Sequence, residues 1–199
     1  MSLIHLVDDD VAVTDACHFL LTNLGHCVHC WNDSTDFLAQ ADLLQTGIVL
    51  LDMRMPKLDG HQTYAELRRC GSTLAVVFLS GHGDVPMAVE QMKYGAVDFL
   101  QKPIAAEPLI AALARAQQVS AETQQRHETF GRYRTLTPKE REIAHLVVRG
   151  MMNREMAERL NIALRTVEVH RAKVMEKMQA ASLAELVIQL QTLPLTIQE

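Results

Sequence analysis

The chain has 199 residues, 48% apolar and 22% charged, with a formal net charge of −5. That is an ordinary globular composition, which excludes collagen-like, low-complexity and wholly disordered chains. At about 150 residues per domain the length admits one large domain or two small ones, and no apolar stretch approaches the roughly 18 residues of a membrane-spanning helix.

The N-terminal sequence MSLIHLVDDD has no basic n-region and three acids after its first apolar run, so it does not read as a secretory signal. Lipid-anchor signals are missing from both ends. The four cysteines at irregular spacing are expected as free thiols in a cytoplasmic chain. Charge is unevenly spread. Residues 1–118 carry 7 basic against 14 acidic side chains, residues 119–134 carry 3 against 2, and residues 135–199 carry 9 against 8. Within the last segment, residues 149–177 have 7 basic and 4 acidic groups. An acidic front and a locally basic back predict two domains with different partners.

Five short apolar runs, 2–7, 27–31, 47–52, 74–80 and 96–101, read as strands. Amphipathic segments 11–24, 35–45, 60–70, 85–94 and 107–118 alternate with them and read as helices. The runs at 48–51 and 74–79 are almost continuously apolar, which suits parallel strands covered on both faces. The front half is therefore expected to be an α/β fold with a five-stranded doubly wound parallel sheet. Gly25 and Gly95 stand where the first and fourth helices should stop.

Ligands of such sheets bind outside the carboxyl ends of the strands. Standing there are Asp8, Asp9 and Asp10 after the first strand, Asp52 after the third, Ser80 after the fourth, and Gln101, Lys102 and Pro103 after the fifth. Clustered carboxylates repel one another and need a cation to stay ionised together. An all-oxygen ligand set suits a hard divalent ion such as Mg²⁺. With a lysine beside a nucleophilic carboxylate, the set points to phosphoryl transfer. Asp10 reads as a helix N-terminal acid, and Asp59 and Asp84 as turn or cap residues. In GHCVHC (25–30), Cys27 and Cys30 fall on opposite faces of a strand, which argues against zinc and for buried thiols in a plain strand.

In combination, Asp8-Asp9, LLDMRMP at 50–56 with Gly60, LSGHGD at 79–84 and DFLQKP at 98–103 resemble the receiver domain of two-component response regulators. The resemblance implies that Asp52 is phosphorylated by a sensor histidine kinase. It implies Mg²⁺ held by Asp9, Asp52 and the backbone carbonyl of Arg54, with Asp8 acting through a water. Ser80 and Lys102 would hold the phosphoryl oxygens, Phe99 would be the switch aromatic, and the Lys102-Pro103 peptide would be cis.

Residues 119–134 are polar and Gln-rich, and are expected to continue the fifth helix and then become a linker. Thr137-Pro138-Lys139-Glu140 forms a capping box with proline at the first helical position. The helix it opens should reach about Arg149, with Ile143, Leu146 and Val147 inward and Gly150 as the stop. Asn153 is expected to cap a helix over 154–160, and Asn161–Ala163 to form a turn before a helix over 165–178. Ser182 with Glu185 would cap a last helix reaching Leu190. Two helices joined by a tight turn in a unit of about 60 residues predict a small all-α helix-turn-helix domain over 135–199.

In the second of those helices Val167, His170, Val174 and Met178 form the inward stripe. Thr166, Val169, Ala172, Lys173 and Glu176 face outward. Val169 suits thymine methyls, and Arg165, Arg171, Lys173 and Lys177 can reach phosphates or base edges. Asn153, Arg154 and Glu168 complete the expected DNA contacts. Residues 136–178 resemble the LuxR-type helix-turn-helix, and GHGDVPMAVEQMKYGAVDFLQKP with RTVEVHRAKVMEKM resembles the FixJ branch. Ala163-Leu164 departs from that pattern, which has Ser or Thr followed by Pro. Thr166 is therefore expected to cap one turn later. The resemblance implies a phosphorylation-dependent homodimer through the helix over 85–94 and residues 96–100, binding double-stranded promoter DNA. A Mg²⁺-dependent phosphohydrolase, or a DNA binder whose receiver only dimerises, are the alternatives. The helix-turn-helix counts against the first, and a DNA response that survives loss of Asp52 would mark the second.

Overall fold

The computed structural model describes residues 2–81 and 92–193. The chain divides into two compact units, 1–124 and 125–199. The first contains strands β1 (Leu3–Val7), β2 (Cys27–Trp31), β3 (Ile48–Asp52), β4 (Ala75–Ser80) and β5 (Asp98–Gln101). Helices α1 (Val11–Asn23), α2 (Ser34–Gln40) and α3 (Gly60–Arg69) alternate with the first four strands, and α4 (Ala106–Arg134) follows β5. All pairings are parallel, in the order β2-β1-β3-β4-β5.

Alternation along the strands builds two cores. Ile4, Leu6, Ile48, Leu50, Val77 and Leu79 pack with Cys17 and Leu21 of α1 and Leu109 and Leu113 of α4. Val7, Val49, Leu51, Val76 and Phe78 pack on the other face with Phe37 of α2 and Tyr64 and Leu67 of α3. β3 and β4 are buried at every residue, which is why they read as unbroken apolar runs. Asp10 caps α1 by accepting from the amides of Ala12 and Val13, and Asp59 caps α3 in a full capping box.

Two expectations are corrected here. First, α2 stops at Gln40, not 45, because Ala41 is extended and the Asp42 carboxylate accepts the amide of Leu44 at 3.0 Å, fixing a turn in place of another helical turn. Second, Cys27 and Cys30 are exposed. β2 is an edge strand, so the helices cover the sheet's centre and leave this margin open. The segment expected to continue the fifth helix does so: α4 extends through Arg134, since 119–134 contains no proline and is rich in helix formers. Ser120 is fully buried in the first unit, accepting from Gly47 N at 3.0 Å and donating to Thr73 O at 2.9 Å.

The second unit holds α5 (Pro138–Val148), α6 (Asn153–Leu160), α7 (Leu164–Met178) and α8 (Leu183–Gln191). Its core is Ile143, Leu146, Val147, Met156, Val167, Val174, Met178, Leu186 and Leu190. The Thr137 capping box with Pro138 opens α5 as expected, and Gly150 takes a φ of 76° after its end. Asn153 does not cap α6; it is the first helical residue. The preceding amide, Met152 N, is instead bound at 2.8 Å by Glu155. α7 begins at Leu164, so Thr166 does not cap a shortened helix. Ala163 sits at the N-cap with no side-chain bond, and the first turn closes through its carbonyl onto Thr166 N and Val167 N. The expected stripe faces inward, with Val167, Val174 and Met178 buried and His170 half-buried.

Candidate functional site

The carboxyl ends of β1, β3, β4 and β5 bring the sequence-expected residues of the first unit together. Carboxylate oxygens of Asp8, Asp9 and Asp52 all lie within 4.8 Å of one another. Asp8 and Asp52 are buried and Asp9 is exposed. Lys102 Nζ stands 2.5 Å from Asp8 Oδ2 and 2.6 Å from Asp52 Oδ1. Asp8 Oδ1 accepts Asp10 N at 3.1 Å, and Asp52 Oδ2 accepts Arg54 N at 2.8 Å. Ser80 is fully buried at the end of β4, its hydroxyl 3.1 Å from Gly81 O. Phe99 is half-buried against the α3-side core. The Lys102-Pro103 peptide is cis. Asp84 and most of the segment 85–94 lie outside the described residues.

Gly60 explains the tight approach of α3 to this pocket. A Cβ there would stand 2.4 Å from the Asp52 carbonyl oxygen and 2.9 Å from Met53 Cα. Burial pushes the Asp8 carboxyl above its ordinary range, against the opposing bonds from Lys102 and the Asp10 amide. Burial would lower Lys102, but its bonds to Asp52 and Asp8 outweigh this and hold the ammonium charged.

The donor set fits a hard cation. Three carboxylates converge, and Asp8 Oδ2 is a buried oxygen without a well-aligned hydrogen bond. Lys102 Nζ lies 2.5 Å from it, and a carboxylate oxygen has a second lone pair for a cation. Such a set matches Mg²⁺, which takes a few carboxylates and completes its octahedron with other oxygens.

In the second unit, Arg165, Thr166, Glu168, Val169, Arg171, Lys173 and Lys177 lie on α7, and Asn153 and Arg154 open α6. Val169 and Lys173 are exposed on the outer face. Arg165 pairs with Glu168 at 3.2 Å. Arg171 donates to Asn153 Oδ1 and so ties the two helices at the edge of a groove of about 670 Å³ that also includes Arg154 and Glu168. Lys177, also expected at DNA, has an internal partner. Its ammonium lies 2.6 Å from the buried carboxylate of Glu140 and 3.3 Å from Thr135 O, so it closes the unit internally.

Sequence reading did not mark Asn32, Asp33, Ser34 or Lys57, which surround the pocket's loops. The run Asn-Asp-Ser-Thr carries a helix-cap signal, and Asp33 does cap α2, but nothing in it announces the reach across to the β3–α3 loop.

A parallel sheet with clustered acids, a hydroxyl and a lysine at its carboxyl edge, joined to a helix-turn-helix unit, defines a receiver-bearing transcription regulator. Residues 4–114 match the response regulator receiver domain, and residues 134–190 match the luxR family of bacterial regulatory proteins. The chain is 67% identical over 187 residues to the tetrathionate response regulatory protein TtrR of Salmonella typhimurium, covering 94% of this chain and 91% of that protein. It is 42% identical over 188 residues to the transcriptional regulatory protein FixJ of Azorhizobium caulinodans, covering 92% and 89%. Among solved structures, the response regulator StyR matches with a TM-score of 0.72 and 35% identity over 96% of this chain and 98% of that one. Full-length FixJ from B. japonicum matches with a TM-score of 0.56 and 38% identity, over 96% of each chain. The chain belongs to the two-component response regulators that join a receiver domain to a LuxR-type DNA-binding domain. The family is one of transcription regulators. No helix among the described residues is long and apolar enough to cross a membrane.

Proposed function

We propose that Asp52 is the phosphoacceptor of a cytoplasmic regulator whose phosphorylation pairs two receivers and seats two α7 helices on promoter DNA. The observation that carries this reading is the Asp52 carboxylate set among Asp8, Asp9 and Lys102 at the sheet's carboxyl edge. Asp8, Asp9, Asp52 and the carbonyl of Arg54 would hold Mg²⁺, which when bound offsets the repulsion between the carboxylates and an incoming phosphoryl group.

An Asp52 oxygen attacks the phosphorus carried by a kinase imidazole; the O–P bond forms as the N–P bond breaks, and the imidazole leaves. The product carries close to two negative charges. Lys102 moves from the carboxylate to a phosphoryl oxygen, and Ser80 donates its hydroxyl proton to another. Phe99, within β5, then turns inward, changing the surface at 85–94 and 96–100 through which the receivers pair. Residues 82–91 of that surface lie outside the described residues. Pairing delivers two reading helices to one twofold site, which raises affinity through effective concentration. Asn153, Arg154, Arg165, Thr166, Glu168, Val169, Arg171, Lys173 and Lys177 are the proposed DNA-side residues, Lys177 also pairing with Glu140. We take 1–118 as the receiver, 119–134 as helical linker and 135–199 as the DNA-binding domain. The 67% identity to a tetrathionate response regulator supports tetrathionate respiration genes as the target.

Acetyl phosphate with Mg²⁺ should add about 80 Da, one phosphoryl group, to the wild type and nothing to Asp52→Asn. Footprinting on the neighbouring promoter should extend with acetyl phosphate only when Asp52 is present. In a host lacking this chain, tetrathionate-reduction transcripts should lose their induction by tetrathionate. An unmodified wild type, or an Asp52→Asn chain with a full DNA response, would refute the reading.

A further inference from the structure

We infer that the turn Asn32–Asp33–Ser34, together with Lys57, is a positioning device that sets the spacing between the two acid-bearing loops of the pocket. The inference rests on the Mg²⁺ and Asp52 reading above and deepens it. The turn follows β2, the edge strand, and contributes no carboxylate to the cluster itself. Each of its side chains reaches a different part of the loops that do. Asn32 Nδ2 donates to the backbone carbonyl of Asp8 at 3.0 Å. Ser34, buried at 1% exposure, donates to the carbonyl of Leu58 at 2.9 Å. Asp33 pairs with the ammonium of Lys57.

One three-residue turn thus grips the loop after β1 on one side and the loop after β3 on the other. The gripped residues sit close to the chemistry. Asp8 is itself a member of the acid cluster, and its neighbour Asp9 is another. Lys57 and Leu58 belong to the loop that leaves Asp52 and returns at Asp59 to start α3. Gly60 N closes that loop onto Met53 O at 3.1 Å. Lys57 takes a left-handed backbone with φ of 67°, and its ion pair with Asp33 fixes where that excursion points.

Asp33 is suited to be the anchor. Its carboxylate also accepts Thr35 N at 2.8 Å, Thr35 Oγ1 at 2.5 Å and Asp36 N at 3.4 Å, so it cannot swing away without uncapping α2. Lys57 is therefore held by a fixed carboxylate, not by a free surface one. Groups that orient metal-binding residues from behind commonly change metal affinity by about tenfold or more when removed. Asn32 and Lys57 are both exposed, so each can be changed without opening the core.

The experiment uses the full chain and Mg²⁺ alone. Trp31 is the single tryptophan and lies in the first unit, so its emission follows the unfolding of the receiver. Binding to the folded state raises Tm by mass action, and titrating MgCl₂ against Tm yields the affinity. Asn32→Ala and Lys57→Met should each raise the Mg²⁺ concentration for a given Tm rise by about tenfold, while the metal-free Tm stays within a few degrees of wild type. Lys57→Arg should restore the affinity. If both variants fold and bind Mg²⁺ as wild type does, the inference is wrong. If affinity falls only in step with the metal-free Tm and Lys57→Arg does not rescue it, the contacts are merely structural and the inference is equally overturned. A wild type whose Tm ignores Mg²⁺ removes the pocket reading and this inference together, which separates that failure from the other two.

Discussion

Lys102 places its ammonium 2.6 Å from the carboxylate of Asp52, directly opposite the chain's proposed point of phosphorylation. The same ammonium is 2.5 Å from Asp8, so one cation serves two buried acids. The arrangement leaves negative charge in excess, and the pocket's stability should reflect it.

Replacing Asp8 by Asn is expected to stabilise the metal-free receiver. Burial raises the Asp8 carboxyl above 3.8 in the folded chain. The folded state then holds its proton more tightly than the unfolded state, so stability falls as pH rises from the ordinary carboxylate value through the folded one. Asp8→Asn removes that cost and should recover on the order of 1 kcal/mol at neutral pH, several degrees in Tm by Trp31 emission. The rise of Tm with Mg²⁺ should shrink in the same variant. A lower metal-free Tm would contradict the assignment of burial as the dominant cost.

Ser120→Ala should destabilise the receiver by about 3 kcal/mol, because it leaves both Gly47 N and Thr73 O buried without their partner. Trp31 unfolding should move down by roughly 10 °C. For the same reason a receiver fragment ending at 118 should melt below one ending at 124. Equal melting of the two fragments would show that Ser120 contributes nothing.

Glu140 joins the start of α5 to the end of α7 through Lys177. Burial opposes its ionisation, but bonds from Lys177 and Thr137 prevail and hold its carboxyl below 4.5. A depressed carboxyl stabilises the fold above its ordinary value, and that stability is lost as pH falls through the folded one. Glu140→Gln should therefore cost about 2 kcal/mol at neutral pH and progressively less below pH 4.5. Amide hydrogen exchange across α5 and α7 measures it. A cost independent of pH would rule out the ionised pair as its origin.

Lys173→Ala should weaken binding to every DNA sequence, about fivefold at moderate salt, and flatten the salt slope by about 1. Val169→Ala should act only where a thymine methyl meets α7. Binding titrations over a salt series separate the two. A loss confined to one sequence for Lys173 would assign it to a base edge.

The strands and the acid pocket were legible because both are written locally. β3 and β4 are buried on two faces, which leaves a continuous apolar run; Asp52 and Ser80 end β3 and β4, and Asp8 and Lys102 directly follow β1 and β5. What escaped depended on position in the sheet or on distant partners. Cys27 and Cys30 look like any small strand residues until the order of strands makes β2 an edge. Lys177 looks like a free cation on a DNA-facing helix until Glu140, 37 residues earlier, is brought beneath it. The start of α7 was misjudged because a cap was assumed to need a side chain. Ala163 supplies an extended backbone, φ −65° and ψ 146°, and that suffices to turn the chain into the helix. The reach of Asn32, Asp33 and Ser34 spans 24 residues in each direction and leaves no local pattern.

The strand order has a practical consequence for watching this protein at work. β2 and β5 form opposite margins of one sheet, separated by four strand spacings, roughly 19 Å. A maleimide fluorophore on Cys27 or Cys30, with Cys70 changed to serine, would sit on the far flank from the β5 surface where pairing is proposed. Two labelled copies could then report their approach by energy transfer without the dyes obstructing the contact they measure.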